Sequence, residues 1–190
     1  PSDDPIVLLH GWMDCGAALQ LLVDELPDDW SLTAIDWPGY GRSDAYEGGY
    51  WFAECLADLD FLLDQLLPGK AARVIGHSLG GAVALMFAGV RPQRLRWLVD
   101  MEGFGLPHLD PAKLPERLSG WLDALRATGL QKGYPSLTTV VQNLRDRNPH
   151  MPLSHAWFLA RIWTRDVAGG GVQLLADELH RLPSPIRYSR

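Results

Sequence analysis

Ala72-Arg73-Val74-Ile75-Gly76-His77-Ser78-Leu79-Gly80-Gly81 decides how this chain folds. Its first five residues form a short apolar run with branched side chains, the mark of a buried strand. A helix opens within the next few residues and carries Val83, Leu85, Met86 and Phe87 to a turn at Arg91-Pro92. Between strand and helix, Gly76, Ser78 and Gly80 fit the pattern G-x-S-x-G in the context that pattern requires. A serine on so sharp a turn sits in a strained backbone conformation, and its neighbours must lack side chains for the turn to close. The helix behind it aims N–H groups at the same point and favours negative charge there. Ser78 is therefore the candidate nucleophile.

The flanking sequence repeats the alternation. Pro5-Ile6-Val7-Leu8-Leu9 reads as a buried strand stopped by His10-Gly11, Trp30 to Ile35 as a second, and Leu95 to Met101 as the one after the elbow. Ala17 to Leu26 is a helix-like set ended by Pro27. Tyr50 to Leu67 is an amphipathic helix, with Phe52, Leu56, Leu59, Leu62, Leu63 and Leu66 at helical spacing, stopped by Pro68-Gly69. Strands and helices alternating in this way predict an α/β fold, a parallel sheet flanked by helices. After Gly105 the character changes. Leu118 to Leu125, Leu137 to Leu144 and Ala156 to Trp163 are helical patches without a convincing core strand, and Gly169-Gly170-Gly171 is a turn. This predicts a core over residues 1–105 and a helical cap over residues 106–190, beginning near Leu106.

Composition narrows the function. The 190 residues are 47% hydrophobic and 21% charged, ordinary for a globular protein with a real core. No apolar run approaches the roughly 18 residues of a membrane span, and no basic segment leads into an apolar one at the start, so neither a membrane partner nor a signal peptide is expected. Cys15 and Cys55 are too few for a disulfide framework or a structural zinc site, which suggests a reducing compartment, the cytoplasm. The net charge of −6 is split: residues 1–70 carry 14 acidic and 2 basic side chains, the rest 9 and 15. The basic residues are dispersed and form no run, which predicts two lobes with complementary surfaces and no nucleic-acid partner. The histidines have no metal-ligand spacing, and Gly39-Tyr40-Gly41 lacks the third glycine of a dinucleotide loop. Neither a metal nor a cofactor is expected.

Three segments together resemble the α/β-hydrolase fold family. Besides the Ser78 elbow, His10-Gly11-Trp12 resembles its H-G-x oxyanion loop, and Asp36-Trp37-Pro38-Gly39-Tyr40-Gly41-Arg42-Ser43 its D-x-P-G-x-G-x-S segment. They come in the family's order, and the resemblance covers about residues 5–105. It implies a serine hydrolase in which Ser78 forms an acyl-enzyme that water later cleaves. The backbone N–H groups of Trp12 and Leu79 would hold the oxyanion, with His10, Gly11, Gly76, His77 and Gly80 supporting the loops.

The acid and the base are less well supplied. Glu102, at the end of the strand after the elbow, resembles the earlier of two positions the family uses for its acid. The alternative reading makes it a structural acid bonding loop N–H groups. Asp100 shares its sheet face but lies deeper. The family places its histidine after a last strand, yet His108, His150, His155 and His180 follow no strand and read as surface or cap residues. The expectation is a portion of a longer hydrolase lacking the family's C-terminal strands, with no histidine on Ser78. It would expose an apolar sheet edge. Eight tryptophans suit either a cleft for a small, largely apolar ester or the join between cap and core. A small-molecule substrate and a monomer or homodimer follow. Serine rather than aspartate at 78 argues against dehalogenase and epoxide-hydrolase chemistry, while carbon–carbon hydrolases and serine-dependent peroxidases share the serine elbow. The competing class is a non-catalytic relative that binds a small ligand or partner under the cap.

Overall fold

The computed structural model describes residues 4–105, 110–127 and 133–185. The first part of the chain builds a four-stranded, fully parallel sheet. β1 (Ile6–Leu9), β2 (Leu32–Ala34), β3 (Ala72–His77) and β4 (Leu95–Met101) lie in the order β2-β1-β3-β4. The register sets Leu9 opposite Gly76 and His77 opposite Met101. Both faces are covered, as parallel sheets require. Val7, Leu9 and Val74 pack with Leu59, Leu63, Val83 and Phe87 from α2 (Phe52–Leu66) and α3 (Leu79–Val90). Ile6, Leu8 and Ile75 face the other way, onto Leu19, Leu22 and Val23. That second face is covered by a 3-10 turn (Gly16–Leu19) running into a four-residue α1 (Gln20–Val23), not by one helix from Ala17 to Leu26. The apolar set is as read. Gly16 opens the 3-10 turn with its N–H bonded to Asp36 Oδ1 (2.7 Å), and only the four residues that follow that turn are α-helical.

Among the described residues no strand pairs with the outer edge of β4, where Val99 is 46% exposed. Beyond β4 come α4 (Leu114–Arg126), α5 (Leu137–Arg147) and α6 (Leu153–Trp163). α5 and α6 pack through Val140, Val141, Ala156 and Ala160, while Leu159 reaches Cys15 and Ala18 in the sheet-bearing part. This region is not purely helical. β5 (Thr164–Asp166) and β6 (Val172–Leu174) form an antiparallel hairpin, turned by Gly169, Gly170 and Gly171 at φ of 90°, 97° and 87°. Three residues per strand are too few for a period-two pattern to register in the sequence. The expected cap start at Leu106 and His108 lie outside the described residues. No helix among the described residues is long and apolar enough to cross a membrane.

Candidate active site

The carboxyl ends of all four strands face one rim, where ligands bind in sheets of this kind. At that rim Ser78 joins β3 to α3 with φ 50° and ψ −108°. A non-glycine residue held there costs roughly 1–3 kcal/mol, so its neighbours must over-determine it. They do. Ser78 N–H donates to the Met101 carbonyl at 2.8 Å, and Ala82 N–H to the Ser78 carbonyl at 2.9 Å. A Cβ added to Gly76 would lie 2.7 Å from the Gly80 carbonyl, and one on Gly80 only 2.5 Å from the Leu9 oxygen. The turn closes only because both positions are bare.

The His10-Gly11-Trp12 loop packs against this elbow. A Cβ on Gly11 would stand 3.0 Å from His77 Nδ1 and 3.3 Å from Ser78 Cβ. His10 is fully buried. Its Nε2 accepts Trp37 N–H at 3.0 Å and its Nδ1–H donates to the Gly11 carbonyl at 2.8 Å, while Trp37 Nε1 donates to the His10 carbonyl at 3.1 Å. With Nε2 accepting, Nδ1 carries the proton. Burial lowers the pKa of His10, so the ring is a neutral strut. Asp36 braces the next loop, its Oδ2 accepting Arg42 N–H at 2.9 Å and its carbonyl accepting Ser43 Oγ–H at 2.7 Å. Leu79 opens α3, where a helix leaves its first N–H groups without intrahelical acceptors. Among the described residues neither Leu79 N–H nor Trp12 N–H donates to a protein acceptor. Two backbone donors beside a strained serine form an arrangement able to hold an oxyanion.

The two acids have different surroundings. Asp100 Oδ1 accepts Gly103 N–H at 2.9 Å and is wedged against Gly81 and Gly103. The loop-bonding role weighed for Glu102 therefore belongs to Asp100. Glu102 is exposed at the rim, with φ 62° and no hydrogen bond among the described residues. No ring nitrogen of His10, His77, His150, His155 or His180 is bonded to Ser78 Oγ.

His180 needs a correction. It was expected as an ordinary surface or cap histidine in a charged stretch, and it is instead stacked between Tyr40 and Tyr50, with ring centroids 3.7 and 3.5 Å away. Its Nε2–H donates to the Pro38 carbonyl at 2.9 Å, and burial pulls its pKa down to about 4. Neighbouring bonds fix the same segment: Tyr50 Oη–H to Asp177 Oδ2 (2.8 Å), Asp177 N–H to the Gly39 carbonyl (2.7 Å) and Trp12 Nε1–H to the His180 carbonyl (3.1 Å). Nothing local in the sequence signals this clamp, because its partners lie more than a hundred residues apart.

Two cavities flank Trp12, a residue that is 55% exposed. One, of about 220 Å³, is lined by aromatic rings including Trp51 and Tyr46, and by Leu79, His180 and Leu182. Cys55 also lines it, but burial pushes its thiol up to about 12, so no thiolate competes with the serine at neutral pH. The other, of about 600 Å³, is lined by His77, Tyr134, Leu144, Arg147 and Arg181.

Comparison with known proteins agrees with this fold. A model of the α/β-hydrolase fold matches residues 4–144. A serine hydrolase-like protein of Danio rerio is 30% identical over 175 residues, which cover 88% of this chain and 53% of that protein. A pimeloyl-[acyl-carrier protein] methyl ester esterase of Yersinia pestis is 34% identical over 123 residues, covering 63% of this chain and 45% of that one. A thioesterase domain from the curacin biosynthetic pathway superposes with a TM-score of 0.81 at 28% identity, over 95% of this chain and 65% of that one. The chain spans about half the length of the curated relatives it matches.

Proposed function

The chain belongs to the α/β-hydrolase fold family, and from that premise we propose that it carries the nucleophile and oxyanion hole of a serine hydrolase acting on a small, largely apolar ester or related acyl compound. The observation that carries this reading is the strained Ser78, with Leu79 N–H next to it in the chain and Trp12 N–H in the loop packed on the elbow, both without a protein acceptor among the described residues. In this reading Ser78 Oγ attacks the acyl carbon, and the carbonyl oxygen gathers charge against the N–H groups of Trp12 and Leu79. The alcohol leaves, and water then releases the acid from the acyl-serine. His10, Gly11, Gly76, His77 and Gly80 shape the two loops, and Glu102 is the candidate acid. Residues 1–105 serve as the catalytic core and residues 106–190 as its cap. Relatives named for ester and thioester hydrolysis support the reaction class.

Attack also needs a general base within about 2.6–3.2 Å of Ser78 Oγ, somewhat looser without substrate. No described histidine is bonded there, so the arrangement also suits a second reading, a non-catalytic relative that binds a small ligand or partner under the cap. The full-length protein separates the two. Ser78→Ala is expected to lower hydrolysis of short acyl esters by about a thousandfold or more while the fold stays intact. A variant retaining a tenth of the parent rate would refute the serine mechanism. A parent without any ester hydrolysis would favour the binder.

A further inference from the structure

The helix α2 carries four acids in two pairs, each spaced four residues apart, and the pairs are treated differently. Asp60 and Asp64 are answered by cations from the α3–β4 connection, Asp60 by Arg91 at 3.9 Å and Asp64 by Arg94. Glu54 and Asp58 have no ion-pair partner among the described residues, and both line the aromatic cavity. Like charges one helical turn apart repel. Partial burial, and to a lesser degree Glu54, push the pKa of Asp58 upward. Each acid keeps one oxygen occupied and one unbonded among the described residues. Glu54 Oε2 accepts Trp51 N–H at 2.8 Å, and Asp58 Oδ1 accepts Tyr46 Oη–H at 2.6 Å.

The rest of the wall suits the same kind of guest. Tyr46, Trp51 and Trp12 present rings to the cavity. Among the described residues no lysine or arginine lines it, and the one histidine that does is held neutral. Arg117 approaches from α4 but is bonded to the Ser184 carbonyl at 3.0 Å and does not line the space. The faces of aromatic rings and unpaired carboxylates both attract cations, and a wall of low polarity strengthens each attraction.

We propose that this cavity is a subsite for an organic cation, a substituted ammonium group carried by the substrate, with Asp58 and Glu54 supplying the charge and Trp51 and Tyr46 the rings. It rests on the hydrolase reading only in taking the ligand to be a substrate, since Leu79 and Trp12 belong both to this wall and to the oxyanion arrangement. A volume of about 220 Å³ accommodates a small quaternary ammonium.

The test uses the full-length protein and two inert probes of equal shape, butyltrimethylammonium and its neutral carbon isostere, with binding read by tryptophan fluorescence. The cation is expected to bind about tenfold more tightly. Asp58→Asn, which keeps an acceptor for Tyr46, and Glu54→Gln, which keeps one for Trp51, are each expected to reduce that ratio severalfold. Circular dichroism identifies a variant that has lost its fold, and the remaining variant together with the parent's own ratio still decides. Equal binding of the two probes, or a ratio unmoved by both substitutions, overturns the proposal. Fluorophosphonate labelling of Ser78 reads the hydrolase assignment separately. Labelling without cation preference rejects the subsite alone, and cation preference without labelling keeps the subsite while rejecting the hydrolase.

Discussion

The sheet with its flanking helices and the stretch from Tyr134 to Ser184 that roofs its rim are held by different kinds of contact. In the sheet, Val7, Leu9, Leu59, Leu63, Val74 and Val83 are excluded from water almost completely and meet through apolar surface. The later stretch has its own small apolar cluster around Val140 and Ala156, and it meets the sheet-bearing part both through apolar contact, Leu159 with Cys15 and Ala18 and Ala176 with the main core, and through directed bonds. Trp163 Nε1–H donates to Asp14 Oδ1 at 2.7 Å, Tyr50 to Asp177, and His180 to the Pro38 carbonyl between two tyrosine rings. Area burial is non-directional and large, while each hydrogen bond contributes little net stability yet fixes position. Loss of apolar area in the base should therefore act on the whole chain, and loss of one directed bond in the roof more locally.

The largest effect should come from the base. Leu63→Ala removes a side chain that is 0% exposed and is expected to cost about 2–5 kcal/mol. Urea unfolding followed by far-UV circular dichroism should show one shifted transition for the whole chain. If the roof alone were affected, the distinction between the two regions would collapse.

A smaller and more local effect is expected at the seam. Trp163→Phe keeps a ring in place but removes the donor to Asp14, which still accepts Cys15 N–H at 2.8 Å. The expected cost is about 1–2 kcal/mol, the range for bonds to a charged acceptor at a partly exposed site. Hydrogen exchange should rise in α5, α6 and the hairpin and stay unchanged in β1 and β3. Faster exchange in β1 and β3 would mean that the roof stabilises the base.

A further effect concerns pH. Burial holds the pKa of His180 at about 4, below the ordinary histidine value of 6.5. Above pH 6.5 the ring is neutral whether the chain is folded or not. Between 6.5 and 4 the unfolded chain takes up a proton that the folded one refuses, so stability falls as pH drops through this window and levels off for this group below it. His180→Phe should therefore show a shallower loss of stability from pH 6.5 to 4 than the parent. Equal slopes would indicate that the clamp opens before it titrates.

How much of this was legible depended on the range of the interactions. β4 falls where Leu95 to Met101 predicts it, and α2 where its leucine spacing does, because each pattern is local and repeats several times. The elbow was legible for a steric reason, since a serine at φ 50° imposes bare neighbours that stand in the sequence as Gly76 and Gly80. The hairpin β5–β6 was missed because it is too short for periodicity. The seating of His180 was missed because Tyr40, Tyr50 and Pro38 meet it across more than a hundred residues of chain. The carboxylates of α2 that have no ion-pair partner among the described residues were equally silent. Glu54 and Asp58 read like Asp60 and Asp64 until the arginines are seen to answer only one pair.

The most direct test of the central claim is the reactivity of Ser78 itself. The full-length protein would be treated with a fluorophosphonate probe, digested, and its peptides weighed. The account predicts one adduct, on the peptide carrying Ser78, abolished by Ser78→Ala and prevented by heat denaturation. Complete inertness, or an adduct on another residue with Ser78 unmodified, would contradict it.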